Sequence, residues 1–188
     1  MLKSSAPLLM NGRTAGKYLS ALVMAIVLSP AMADPPSHSQ LLVAEKDVRK
    51  AKVILMPDPF EMLYKPKEQN LVETGCTYIT EDRSAINALI RLLNSFDIRP
   101  NANADGIEAS LYQGIYLDLS DGTTKKYLFN LAAPGERVNG VSAKSGSSND
   151  VPFTANPVAK SLREWSSTAG KQTNHGPLDL LRENCDKN

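Results

Sequence analysis

The sequence predicts an α+β fold in which one main helix packs on a face of an antiparallel sheet of about four to five strands. Three observations support this class. A segment with helical apolar spacing covers residues 81–96, an alternating hairpin pattern covers 111–131, and two shorter helical patterns lie near the C-terminus. Strands and helices do not alternate regularly along the chain, and a doubly wound parallel sheet would require that alternation.

The main helix is the clearest element. Thr80 is a candidate N-cap, and the acidic residues that follow it lie where the helix dipole favours negative charge. Pro100 prevents the helix from continuing past residue 99. Four apolar residues share one face at helical spacing, which predicts a buried stripe; they are Ile86, Leu89, Ile90 and Leu93.

The hairpin is the second clear element. Residues 111–119 alternate, with Ile115, Leu117 and Leu119 on one face. The dipeptide Asp121-Gly122 is a tight-turn signal, because glycine accepts positive φ. Residues 125–131 alternate again and predict the returning strand.

Three further strands are predicted from short apolar runs. They cover residues 51–56, 71–79 and 137–143, although the last segment also allows a smaller hairpin that turns at Asn139-Gly140.

Two short helices are predicted after these strands. Asn156-Pro157 is typical of a helix start, and Val158, Leu162 and Trp165 then share a face. A last helix opens at Pro177 and directs Cys185 towards the core.

The N-terminus has the three parts of a secretory signal peptide. Residues 1–33 contain basic residues and no acidic ones, then a short apolar core, then small residues before Ala33. We therefore expect cleavage between Ala33 and Asp34 and a periplasmic or secreted protein. Residues 34–50 are predicted to form a tether or short helix, and residues 51–188 a single α+β domain.

The charge balance argues against two classes of partner. Removing the three basic residues of the leader leaves 18 basic against 20 acidic residues, a net charge of −2. A nearly neutral domain with mixed charges lacks the basic surface that binds nucleic acids or anionic lipids. No apolar segment after the leader approaches the roughly 20 residues that a membrane span needs, so we expect a soluble mature chain.

The cysteine pair predicts a disulfide. Cys76 and Cys185 are the two cysteines of the chain, and an even pair in an exported protein is most simply a bridge.

Catalytic and metal-binding motifs are weak. His38 and His175 lie in predicted irregular segments, and residues 101–106 have the spacing of a calcium loop but place Tyr112 where the bidentate glutamate belongs. A Ser/Lys segment at Ser142 and Lys144 lacks the context of a known dyad. The sequence therefore predicts no catalytic residue, metal ligand or cofactor.

The hairpin offers the best candidate binding residues, since tyrosine is enriched at protein contacts. We expect a protein-binding role of the inhibitor or immunity type, directed at an envelope protein, with Tyr116 as the most exposed contact. The proposed contact residues are Tyr112, Tyr116, Asp118, Asp121 and Tyr127. Two alternatives stay open: a carboxylate-dependent envelope hydrolase, using pairs such as Asp118/Asp121 or Asp58/Glu61, and a small-molecule or lipid carrier with a cavity between sheet and helix.

Overall fold

A computed structural model describes residues 38–57, 66–101, 110–132, 135–147, 150–169, 171–172 and 185, all within one compact unit, 34–188. Eight strands lie in these ranges: β1 (Val48–Leu55), β2 (Cys76–Thr80), β3 (Arg99–Pro100), β4 (Leu111–Leu119), β5 (Thr124–Asn130), β6 (Val138–Lys144), β7 (Val151–Ala155) and β8 (Lys171–Gln172). The same ranges contain the helices α1 (Glu68–Thr74), α2 (Arg83–Ser95) and α3 (Ala159–Ala169) and the 3-10 turns His38–Leu41 and Glu45–Asp47.

The strands form one antiparallel sheet in the order β3-β7-β6-β5-β4-β1-β2-β8. This confirms a mixed fold of helices and one antiparallel sheet, but the expected count of four to five strands is wrong. β3 and β8 have two residues each, which is too short to leave a pattern. β7 contains Pro152 directly after a Ser/Gly/Asn-rich segment, so its composition is typical of a loop.

The strand predicted over 71–79 is also wrong in its first half. Residues 68–74 form α1, whose first turn is closed by Asn70, since its side-chain oxygen accepts from the Lys67 backbone N–H at 3.0 Å. The helix ends at Gly75, where an added Cβ would lie 2.5 Å from the side chain of Ile54. Glycine therefore lets α1 end close against β1, and β2 starts at the next residue.

The hairpin β4–β5 is confirmed. Gly122 has a φ of +83°, as the tight turn requires. The alternative turn at Asn139-Gly140 is wrong, because both residues lie within β6, where Gly140 pairs with Phe129 and Phe153.

The main helix α2 is confirmed, with a different cap. Asp82 accepts a hydrogen bond from the Ala85 backbone N–H at 2.7 Å, so the helix begins at Arg83 rather than at Glu81. The predicted stripe is buried. Trp165 of α3 crosses to α2 and donates its indole N–H to the Ala85 carbonyl at 3.0 Å.

Strand alternation gives the sheet two faces, which we name after their helices. On the α2 face, Val53, Ile115 and Tyr127 share a register row and belong to the larger core, to which α2 and α3 contribute. On the α1 face, Ile54 and Leu128 pack with Leu71 of α1 in a smaller cluster.

The described part of the segment predicted as a tether or short helix contacts the domain through the carbonyls of Gln40 and Leu41, which accept from Lys125 and Tyr127. Leu41 is buried, and β1 starts at Val48, three residues earlier than predicted. The two 3-10 turns of this segment, His38–Leu41 and Glu45–Asp47, are short and mainly polar. Neither supplies the continuous apolar stripe that an α-helix on this domain would bury.

The predicted disulfide is present. Cys76 and Cys185 are bonded with their Cα atoms 5.6 Å apart, and both are buried.

The helix predicted from Pro177 lies outside the described residues, apart from Cys185. Among the residues that the structure describes, no helix is long and apolar enough to cross a membrane.

Candidate functional site

The hairpin β4–β5 distributes the five predicted contact residues over three places. Tyr112 and Tyr116 pack with the cluster on the α1 face, whereas Tyr127 is part of the core on the α2 face. Asp118 and Asp121 lie at the end of the hairpin. The five residues therefore do not form one surface.

Tyr116 is not the exposed contact that alternation suggested; it is only 8% exposed. Its hydroxyl donates to Oε1 of Glu68 at 3.2 Å, and the ammonium group of Lys52 lies 4.3 Å from its ring centre. Burial, followed by the nearby Glu68 charge, raises the pKa of this phenol. Tyr116 stays protonated and acts as a fixed donor beneath α1.

Glu68 joins this tyrosine to a lysine. Its Oε2 accepts from Lys126 Nζ at 2.6 Å, while Oε1 accepts from Tyr116. Lys126 and Tyr116 face each other across β4 and β5, which explains how one carboxylate reaches both. Glu68 is not among the predicted contact residues, because it lies between the segments predicted as strands, 51–56 and 71–79, where no element is expected. The hairpin pattern offered one signal for Glu68, because it pairs Tyr116 with Lys126 across the two strands. An acidic side chain on the same face would neutralise Lys126.

A pocket of about 260 Å³ lies beside this array, and we call it the α1 pocket. Leu111, Leu128 and Val141 supply its apolar lining. The charged residues that line it carry both signs; they are Lys67, Glu68, Lys126 and Asp150. The site thus combines apolar contact area with convergent charged groups, which is the usual composition of a binding pocket.

Tyr127 has a structural position and is not a surface residue. It is fully buried, and its hydroxyl donates to the Leu41 carbonyl at 2.6 Å. Its ring lies edge-on to Phe153 with centroids 6.3 Å apart. Burial raises the pKa of this phenol, and a hydrogen bond with Ser142 opposes the shift. The prediction that Tyr127 is available for contact is wrong, because its side of β5 faces the core.

The two hairpin aspartates shape the turn region. Asp118 accepts from the Thr124 hydroxyl at 2.8 Å. Asp121 accepts from the Thr123 backbone N–H at 2.9 Å and from Lys144 Nζ at 2.9 Å. Hydrogen bonds from Thr123 and then Lys144 hold the pKa of Asp121 well below its usual range. Each carboxylate thus has local hydrogen-bond partners of its own.

The weaker candidates are distributed as follows. Ser142 is buried and bonded to Tyr127, while Lys144 pairs with Asp121, so both members of the considered dyad have other partners. In the described ranges, no group of three or more His, Cys, Asp or Glu side chains is placed to hold a metal ion. His38 is exposed. The positions Asp58, Glu61 and His175 and residues 102–109 of the calcium-like segment lie outside the described residues.

No protein-family model, no curated protein and no solved structure matches this chain. The geometry of the pocket is therefore the basis on which a function is assigned.

Proposed function

We propose that the chain is an exported protein that acts by binding another protein through the α1 pocket. Two features support export: the signal-like residues 1–33, with cleavage expected between Ala33 and Asp34, and a disulfide, which persists in oxidising compartments. The proposed location is the periplasm or the extracellular space, and the proposed partner is an envelope protein.

The observation that carries this proposal is the composition of the α1 pocket. Its apolar residues suit an inserted aliphatic or aromatic side chain of a partner. The surrounding lysine and carboxylate groups suit polar and charged groups on either side of that anchor. The partner segment we expect is an apolar residue flanked by charges of both signs.

A side chain of a partner fits the volume of the pocket. Pockets for drug-sized ligands usually enclose about 300–1,000 Å³. The α1 pocket, at about 260 Å³, lies just below this range.

Strand addition is a less favourable mode of binding for this sheet. The outermost strands of the described sheet, β3 and β8, have two residues each. Short edge strands offer few unpaired backbone groups to an incoming strand. Contact through the face of the sheet is therefore the mode we propose.

The test uses a photo-crosslinking amino acid placed at Val141, which lines the pocket, and separately at the exposed Leu131. Oxidised protein carrying either probe is irradiated in envelope extract. The proposal expects one protein to crosslink from position 141 and not from position 131. The companion variants are Val141→Arg, which should abolish binding of that protein, and Leu131→Arg as the matched control. Equal crosslinking from both positions, or none from position 141, would refute the assignment.

A further inference from the structure

Two lysines lie directly opposite each other on the α2 face of the sheet. Lys125 of β5 pairs in register with Lys144 of β6. Like charges in directly opposed positions destabilise a sheet. Lys144 has an acidic partner in Asp121, at 2.9 Å, whereas the bonds of Lys125 go to backbone carbonyls. Lys125 also lies 5.4 Å from the ring centre of Tyr127, so its described partners are carbonyl groups and an aromatic ring rather than a carboxylate.

Lys125 is buried, and hydrogen bonds to backbone carbonyls hold its side chain in place. It is only 7% exposed, and its ammonium group donates to the Gln40 carbonyl at 2.5 Å and to the Leu42 carbonyl at 3.2 Å. These bonds use two of its three protons. Burial, and then repulsion from Lys144, lower the pKa of Lys125 to about 8. A buried cation without an acidic partner is costly, and such costs are typical of functional sites.

A pocket of about 320 Å³ lies next to both lysines, and we call it the lysine pocket. The polar side chains in its lining are Gln40, Lys125, Ser142, Lys144 and Ser147, and they lie beside the apolar Ala143 and Val151. For the part of the chain that the structure describes, the charged groups at the pocket are Lys125, Lys144 and its partner Asp121, which sum to one positive charge. The pocket therefore has both room and a charge excess for an anion.

We propose that the lysine pocket binds a small phosphate-bearing molecule, with the phosphate between the ammonium groups of Lys125 and Lys144. Phosphate fits this donor set better than carboxylate does. Lysine acts as a point charge suited to a tetrahedral oxyanion, whereas planar carboxylates are best recognised by the fork of an arginine. Among the residues that the structure describes, no arginine lines this pocket.

This site is independent of the proposed protein-binding role. Lys125 faces the α2 side of β5, while the next residue, Lys126, faces the α1 pocket. Failure of either proposal would leave the other in place.

The experiment is a titration of isotope-labelled, disulfide-bonded protein, expressed from the full sequence, with inorganic phosphate, glycerol phosphate or acetate. Chloride keeps the ionic strength constant, and amide and lysine Nζ resonances report binding. We expect saturable shifts centred on Lys125 and Lys144 with phosphate. Losing one charge-assisted bond should weaken binding about tenfold or more in Lys144→Met. Lys144→Arg should retain most of the affinity.

Lys160→Met is the matched control, since Lys160 is exposed on α3 and pairs only loosely with Glu164. Tighter binding of glycerol phosphate would identify an organic phosphate ester as the source, and tighter binding of inorganic phosphate would identify the free ion; both support the site. Shifts of equal size in Lys144→Met, shifts that do not saturate, or acetate binding as tight as that of phosphate would overturn the assignment.

Discussion

Removing the disulfide should lower the stability of this protein by several kcal/mol. Cys76 and Cys185 are separated by 109 residues, so their bond restricts most of the unfolded chain. The chain-entropy relation gives about 5 kcal/mol for a loop of this length, and measured losses are typically 2–5 kcal/mol. Both cysteines are buried, so alanine at these positions also leaves the space of two sulfur atoms unfilled. We therefore expect the variant Cys76→Ala/Cys185→Ala to lose about 2–5 kcal/mol of unfolding free energy.

Urea denaturation followed by circular dichroism measures this loss. The midpoint should fall, and the slope m should rise, because an unfolded chain without the crosslink exposes more surface. A reducing agent should lower the midpoint of the natural protein and leave the double variant unchanged. If the oxidised natural protein and the double variant had the same midpoint and slope, the restriction of the unfolded chain would not be a source of stability, and the reasoning would be refuted.

Three further predictions concern single residues. Gly140→Ala should lower the free energy of unfolding by about 2–3 kcal/mol, because the added Cβ would lie 2.4 Å from the ring of Phe153 in the core. Gly122→Ala should cost only about 1 kcal/mol, because Gly122 has open space around it and only its positive φ opposes alanine. Thermal unfolding of the two variants compares these losses. Asp82→Ala should cost about 1 kcal/mol by removing the cap of α2, measured by urea unfolding, and no loss would show that the cap is redundant. Because folding lowers the pKa of Lys125 to about 8, the unfolded chain binds more protons between pH 8 and 10.5. In phosphate-free buffer, stability relative to Lys125→Met should therefore rise with pH across this window, by about 3 kcal/mol at most, and a flat or falling difference would contradict the shift.

The elements that sequence predicted well are those whose patterns are local. The stripe of α2 repeats over two turns, and the alternation and tight turn of β4–β5 specify a hairpin without reference to the rest of the chain. Each pattern includes enough residues to distinguish it from a random arrangement of apolar and polar residues.

The elements that sequence missed depend on distant partners. β7 is a strand because its backbone pairs with β6, although Pro152 and its polar flank indicate a loop. α1 is short, and its single buried residue, Leu71, packs in a cluster with Ile54 of β1 and Tyr116 of β4, which are distant in sequence. Short segments have no internal pattern strong enough to specify their conformation, so tertiary packing decides it.

The candidate site was predictable only in part. Alternation places Tyr116 opposite the Ile115 side of β4, and this placement holds. It does not reveal that α1 covers that side, so exposure was assigned to a tyrosine that is buried against Glu68. In the same way, the alternation of β5 does not identify the 3-10 turn that covers Lys125 and Tyr127.

Both proposed sites depend on the same strand, because neighbouring residues of β5 point to opposite faces. Lys125 contributes to the lysine pocket and Lys126 to the α1 pocket. Each lysine is therefore the natural control for the other. Lys125→Met should impair phosphate binding and leave protein capture intact, whereas Lys126→Met should do the reverse. A variant at one position that impaired both activities would mean that the two faces of the sheet act as one site.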